Sequence, residues 1–251
     1  MTKIILCGCS GHMGHVVTEI AAADAEVEIV AGIDLSGTKD ASYPVFTDLK
    51  DCDVKADALI DFSSPKALDA ILTYCMEKNV PAVLCTTGYT DAQMEQIHEA
   101  GKKVAVMKSA NMSLGVNMLL KLLKEAARTL APAGFDIEIV EKHHNRKVDA
   151  PSGTALAMAD SMNEALGNVY TYQYDRSQRR EKRDPQEIGI SAVRGGNIVG
   201  EHEVIFAGMD EIVEFKHTAY SRGIFAKGAV QAAKFMAGKP AGFYDMSDVI
   251  G

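Results

Sequence analysis

Residues 4–7, Ile-Ile-Leu-Cys, form an apolar run that passes at once into Gly8-Cys-Ser-Gly-His-Met-Gly14 and then into a helix-forming stretch ending near residue 23. Strand, glycine-rich turn and helix in that order leave few folds open. Gly8 permits a tight turn, Gly11 lets backbone approach a pyrophosphate, and Gly14 lets the helix lie close on the strand. Cys9, Ser10, His12 and Met13, set between these glycines, are candidate contacts for the same ligand. Three glycines alone are a weak signal. A second apolar strand, residues 27–33, ends at Asp34 and gives them weight. An acid about 20 residues past such glycines is where the ribose hydroxyls of a dinucleotide are held. The plainer reading of Asp34 is a turn residue at a strand end.

The alternation continues. Residues 58–62 read as a buried strand, 66–78 as a helix, 81–84 as a strand, 91–101 as a helix and 104–107 as a strand. Repeated strand–helix units predict an α/β fold with a Rossmann-like, doubly wound parallel sheet. Two loops then fall at strand C-termini, where such sheets place ligands: Cys85-Thr86-Thr87-Gly88, and Ser109-Ala110-Asn111-Met112. Thr86 and Thr87 also suit simple helix caps. Residues 115–130 predict an amphipathic helix whose Leu/Met stripe faces a core. Beyond residue 130 the pattern changes to short alternating strands at 137–142, 187–193, 198–206 and 211–217, the mark of a second, α+β domain. The charged run 176–185 predicts a solvated loop.

One stretch stands out chemically. An alternating strand at 135–140 leads to Glu141-Lys-His-His-Asn-Arg-Lys-Val-Asp-Ala-Pro-Ser-Gly-Thr-Ala155 and then to a helix over about 153–166. His143, His144, Arg146 and Lys147 crowd four potential cations into five positions of a chain with net charge −8. Pro151 suits a first helical turn, with Asp149 or Ser152 as its cap. The N–H groups of Ser152, Gly153 and Thr154 would then form an anion site aided by the helix dipole. Cations beside bare N–H donors describe a trap for a carboxylate or phosphate, with His and Lys able to move protons near neutral pH. The plain alternative is a solvated basic turn. No Cys or acid stands at metal-ligand spacing, so no metal is expected.

This stretch, Glu-x-His-His-x-x-Lys-x-Asp-Ala-Pro-Ser-Gly-Thr-Ala, closely resembles the signature of the dihydrodipicolinate reductases of lysine and diaminopimelate biosynthesis. The resemblance extends to Cys85-Thr-Thr-Gly, where the family has Gly first, and to Ala110-Asn-Met-Ser-Leu-Gly-Val-Asn117, where it has Phe at Met112. It continues through residues 193–204, 219–222 and 243–250. It implies that His143 is the acid/base residue, that Lys147 is a second proton donor, and that His144, Ser152, Gly153 and Thr154 contact substrate. It implies that Cys85, Thr86, Thr87 and residues 109–112 lie along the nicotinamide half of the cofactor. The family often carries Arg after the acid at the end of its second strand. Leu35 stands there, which favours NADH, while Ser36 and Lys39 keep NADPH open. Residues 1–113 and 223–251 are expected to form the dinucleotide-binding domain. Residues 114–222 would be an inserted substrate-binding and oligomerisation domain, in a homotetramer.

Composition sets outer bounds. The acidic balance argues against nucleic acid, and no apolar run approaches the ~20 residues of a membrane helix. Five cysteines without a C-x-x-C pair read as reduced core residues of a cytoplasmic protein. The expected activity is NAD(P)H-dependent reduction of a small cyclic dicarboxylate. Two rivals remain: a non-catalytic dinucleotide sensor, which needs neither His143 nor Lys147, and an amino-acid-type dehydrogenase, which would lack the 149–154 anion nest.

Overall fold

The computed structural model describes residues 1–37, 41–109 and 111–251. In chain order its strands and α-helices are β1 (Thr2–Cys7), α1 (His12–Ala22), β2 (Val27–Ile33), β3 (Val45–Phe46), β4 (Ala58–Asp61), α2 (Leu68–Lys78), β5 (Ala82–Leu84), α3 (Asp91–Gly101), β6 (Ala105–Lys108), α4 (Leu114–Leu130), β7 (Asp136–His143), α5 (Gly153–Ala165), β8 (Thr171–Gln173), β9 (Glu187–Arg194), β10 (Gly200–Ala207), β11 (Ile212–Ala219), α6 (Gly223–Met236), β12 (Gly242–Tyr244) and α7 (Met246–Ile250). They fall into two compact units: Met1–Ser113 with Gly223–Gly251, and Leu114–Arg222.

The first unit is built on a seven-stranded sheet in the order β12-β6-β5-β4-β1-β2-β3, with every pairing parallel. Parallel strands covered on both faces need continuous apolar runs. Ile4, Ile5, Leu6, Leu59 and Ile60 supply them, all fully buried. The chain reverses its direction of winding at the β1/β4 boundary, so the loops after these two strands open the crevice where such sheets bind ligands. Helix α2 starts at Leu68 rather than 66, because Pro65–Ala67 close a tighter 3-10 turn first. Strand β3 was not legible, being two residues without periodicity.

The second unit is a mixed sheet in the order β11-β10-β7-β9-β8, parallel between β7, β9 and β8 and antiparallel between β7, β10 and β11. Helices α4 and α5 pack together over it, joining Leu123, Met158 and Met162 to Ile139, Ile190, Val204 and Phe206 in one core. Strand β7 ends at His143, three residues past the 140 and one past the 142 at which the sequence pattern ends it. Its inward positions are Ile137, Ile139, Glu141 and His143, so the apolar stripe turns polar halfway along a core-facing edge.

The run 176–185 is the loop expected, with eight of its ten residues exposed, but Arg176 and Arg183 are half-buried and anchor it. Arg183 donates to Asp136, to Glu138 and to the carbonyls of Ile137 and Glu187. Arg176 and Arg179 pair with the buried Glu187. A run of cations can be structural when strand-end carboxylates and carbonyls need donors.

Candidate active site

In the first unit, the turn after β1 is shaped by glycine where no other residue fits. Gly8 has φ +77°, and a Cβ there would lie 2.6 Å from the Phe62 carbonyl oxygen. A Cβ at Gly14 would lie 2.3 Å from the oxygen of Gly8. Asp34, just past β2, is tied to this turn. It accepts from the Ser10 amide at 3.1 Å and from the Ser36 amide and hydroxyl at 3.0 and 2.6 Å. Partial burial alone would raise its pKa, but the bonds from Ser36 and Ser10 outweigh burial and hold the carboxyl below its usual range. Gly8, Gly11, Asp34, Leu35, Ser63 and Lys66 line a cavity of about 520 Å³. Leu35 is 92% exposed there and carries no charge.

The other predicted contacts sit on the same sheet edge. Cys9 and Cys85 are buried, and their thiols are pushed up by that burial. Thr86 is buried while Thr87 is exposed. The hydroxyls of Ser10 and Thr86 are buried without a hydrogen-bond partner among the described residues. His12 is exposed, and Met13, Ser109 and Asn111 are half-buried. Met112 is buried, its carbonyl pressed against Gly228 of α6. Ala110 and Lys39 lie outside the described residues. A glycine cradle after β1, an ionised acid after β2 and two orphaned hydroxyls in ligand-side loops fit a pyridine dinucleotide.

Three polar side chains that the sequence reading did not single out complete this edge. Asp61, fully buried at the end of β4, accepts from the Ser63 amide and hydroxyl and from the Tyr89 hydroxyl. Burial followed by this carboxylate drives the Tyr89 phenol far above its normal range. Asp61 and Tyr89 thereby join the turn after β4 to the Thr86-Thr87 loop. Lys66 is the third, a cation in the cavity with Asp34. Nothing in local sequence distinguishes it from any surface lysine.

In the second unit the catalytic candidates surround the start of α5. Ser152 is its N-cap, its hydroxyl accepting from the Ala155 amide at 3.2 Å. Pro151 precedes the cap instead of entering the first turn. The Ser152 amide, expected to face an anion, donates to Glu141 at 3.0 Å. Gly153 and Thr154 begin the helix proper. His143 is buried on β7, not exposed in a polar turn, because the strand extends through it. Lys147 forms an ion pair with Asp149 at 2.9 Å and is mostly shielded. That bond is the main reason the Asp149 carboxyl lies below its ordinary range. His144 is pushed toward the neutral form, first by desolvation and then by Arg146, Arg222, His143 and Lys147. Its ring can therefore offer an anion a hydrogen bond more readily than a charge. His202 on β10 is buried and pushed down to about 4, first by burial and then by the neighbouring His143.

Comparison with known proteins gives the family. The sequence model for "Dihydrodipicolinate reductase, N-terminus" matches residues 2–112, and that for "Dihydrodipicolinate reductase, C-terminus" matches 115–250. A 4-hydroxy-tetrahydrodipicolinate reductase of Clostridium novyi (strain NT) is 50% identical over all of this chain and 98% of its own length. The enzyme of that name from Clostridium tetani (strain Massachusetts / E88) is 48% identical over 98% of this chain and 96% of its own. The fold is that of a dihydrodipicolinate reductase from Paenisporosarcina sp. TG-14, solved with dipicolinate bound: TM-score 0.82 at 24% identity, over 98% of this chain and 97% of that one. An aspartate dehydrogenase from Thermotoga maritima shares the architecture at TM-score 0.52 and 10% identity, over 96% of this chain and 98% of its own. That likeness concerns fold alone. Two family models spanning both units and relatives of about half-identical sequence along the whole length lead to one conclusion: the chain belongs to the dihydrodipicolinate reductase family.

Proposed function

We infer that the protein is an NAD(P)H-dependent oxidoreductase that reduces 4-hydroxy-tetrahydrodipicolinate to tetrahydrodipicolinate in lysine and diaminopimelate biosynthesis. The observation that carries this is full-length identity near 50% to enzymes of that name, with the His143-His144-x-x-Lys147 cluster intact beside the N-terminus of α5. A bound pyridine nucleotide supplies the hydride. The chain's own residues bind the dicarboxylate, move the proton and allow the 4-hydroxyl to leave as water.

His143 is the proton donor, and Lys147, released from Asp149, is the second donor and a carboxylate partner. His144, Gly153 and Thr154 hold a substrate carboxylate. Ser152 supports them through its cap rather than through its amide, which Glu141 occupies. The cofactor is held by Gly8, Cys9, Ser10, Gly11, His12, Met13 and Asp34, with Cys85, Thr86, Thr87 and residues 109–112 toward the nicotinamide. Residues 1–113 and 223–251 thus serve as the dinucleotide-binding domain, and 114–222 as the substrate and assembly domain. NADH is the favoured cofactor, because Asp34 is ionised beside a neutral Leu35 and repels a 2′-phosphate.

The assembly is a homotetramer formed through the second domain. This is supported by the exposed apolar side chains of Ile212 on the edge strand β11, at 61%, and Val193 on β9, at 45%. Light scattering tests the subunit number. A cytoplasmic location is supported by five buried free cysteines. Among the described residues no helix is long and apolar enough to cross a membrane. The deciding assay follows NADH and NADPH oxidation against enzymatically generated substrate. Failure to oxidise either cofactor would leave the dinucleotide-sensor reading in its place.

A further inference from the structure

Glu141 is the most enclosed carboxylate of the second unit, with 0% of its surface exposed. A lone carboxylate in that position costs several kcal/mol, so it must be paired, and each of its lone pairs has to be met. Four donors meet it. Arg194 reaches both oxygens, Nη1 to Oε2 at 2.8 Å and Nη2 to Oε1 at 2.7 Å. The Ser152 amide donates at 3.0 Å, and Nδ1 of His143 lies 2.6 Å from Oε2. Burial by itself would raise the Glu141 pKa. The Arg194, His143 and Ser152 bonds outweigh it and leave the carboxyl below its usual range.

We propose that Glu141, itself gripped by Arg194, is the positioning partner of His143, fixing its ring and its tautomer so that Nε2 is the nitrogen that transfers the proton. This rests on the reading of His143 as proton donor. An ionised Glu141 can only accept, so Nδ1 must carry hydrogen and Nε2 is left for exchange. Nε2 faces a position that has no side chain. Gly200 on β10 faces it, and a Cβ there would stand 3.1 Å from Nε2. The neighbouring His202 ring, edge-on with centroids 5.1 Å apart, stays neutral and spends its own Nε2 on the Ser152 hydroxyl at 3.0 Å. It does not compete for the proton.

Arg194 does more than hold Glu141. Its charge offsets that of the carboxylate, which keeps Glu141 ionised although it is buried. It also donates to the Asp149 carbonyl at 2.8 Å, anchoring the loop that carries Lys147. The charged or titratable groups facing His143 are thus Glu141 on its own strand, Arg194 on β9, His202 on β10, and His144 and Lys147, the latter paired with Asp149, on the loop. In the proton step, the Nε2–H bond of the imidazolium breaks, a bond from hydrogen to substrate forms, and the electron pair stays on Nε2. No oxidant or reductant beyond the pyridine nucleotide of the main reaction is needed.

The test uses the full-length enzyme with NADH and enzymatically generated substrate. Glu141→Gln should lower kcat by roughly 10²-fold, the lower edge of general acid–base effects, with KM for NADH unchanged. It should also move the alkaline limb of the kcat–pH profile to lower pH, because the imidazolium has lost its counter-charge. Arg194→Gln should move that limb to higher pH, because an unshielded carboxylate holds the proton more firmly. A structural role alone predicts no such opposed shifts. Both limbs staying in place, or both moving the same way, overturns the proposal. His143→Ala is measured in parallel. Near-normal kcat there overturns the proton-donor reading itself, whereas a large loss beside an unaffected Glu141→Gln overturns only the positioning role. If the variants fail to fold, ¹⁵N spectra of the histidine-labelled wild-type enzyme decide: the Nδ1–H tautomer at His143 is expected, and the Nε2–H tautomer overturns the proposal.

Discussion

Gly228 of α6 lies so close under the carbonyl of Met112 that a Cβ at 228 would fall 1.7 Å from that oxygen. Alanine in a helix interior normally gains about 1 kcal/mol over glycine. Here the gain is overridden, since the obstacle is backbone and cannot turn aside. Gly228→Ala should lower stability by about 1–3 kcal/mol, the usual range for overpacking. It should also raise KM for NADH by displacing residues 109–112. Thermal unfolding and cofactor titration check both effects. A more stable variant would show that the loop yields freely.

The proposed function makes Leu35 the determinant of cofactor choice. The wild-type enzyme should have a kcat/KM for NADH at least equal to that for NADPH, and Leu35→Arg should shift the ratio toward NADPH by about tenfold, or about 1.4 kcal/mol. Lys66→Ala should depress NADPH use more than NADH use, because this cation lines the same cavity as Asp34. Steady-state kinetics with both cofactors measure each ratio. A wild-type preference for NADPH above tenfold removes the argument.

The proton donors should separate from the anion contacts. His143→Ala and Lys147→Ala should each lower kcat by about 10²–10⁴-fold with NADH affinity almost unchanged. His144→Ala should mainly raise KM, because a near-neutral ring orients substrate rather than protonating it. Stopped-flow turnover and cofactor titration give the comparison, with circular dichroism checking that His143→Ala, a buried strand change, still folds.

His202 should make the protein acid-sensitive. Its folded pKa, pushed down to about 4, lies below the unfolded value of about 6.5, so only the unfolded chain takes up the proton between these pH values. Its neutral burial therefore costs nothing above about pH 6.5, and stability falls as pH drops from there toward 4. The loss reaches on the order of 3 kcal/mol, at 1.36 kcal/mol per unit. Urea unfolding at pH 7 and 4.5 measures it. His202→Gln, which keeps a hydrogen-bond partner for Ser152, should flatten the dependence.

Arg183 should behave as a core residue despite its place in a charged run. Arg183→Ala leaves Asp136, Glu138 and three carbonyls short of donors, a loss of about 1–3 kcal/mol. Arg180→Ala, in the same run and exposed, should change stability by less than about 0.5 kcal/mol. Equal effects would show that Arg183 does not anchor the loop.

Local sequence determined those features whose physics is local. Apolar runs ending in Gly8-x-x-Gly11-x-x-Gly14 and Asp34 dictate buried parallel strands with a ligand edge. Ser152 before an Ala/Met-rich stretch dictates a capped helix, and both form as the residues require. Glu141 was legible only as a letter of a signature. Its role came from tertiary structure, because the partners that keep a buried carboxylate ionised arrive from β9 and from the cap of α5, 53 and 11 residues away. The same cause explains Arg183, whose carboxylate partners lie 45 and 47 residues earlier in the chain. It explains Gly228 and Met112, which meet only when α6 returns to the first unit. Charge and periodicity fix which face a side chain takes and how far it can reach. Which partner stands opposite is fixed by strand order, and no single segment encodes that.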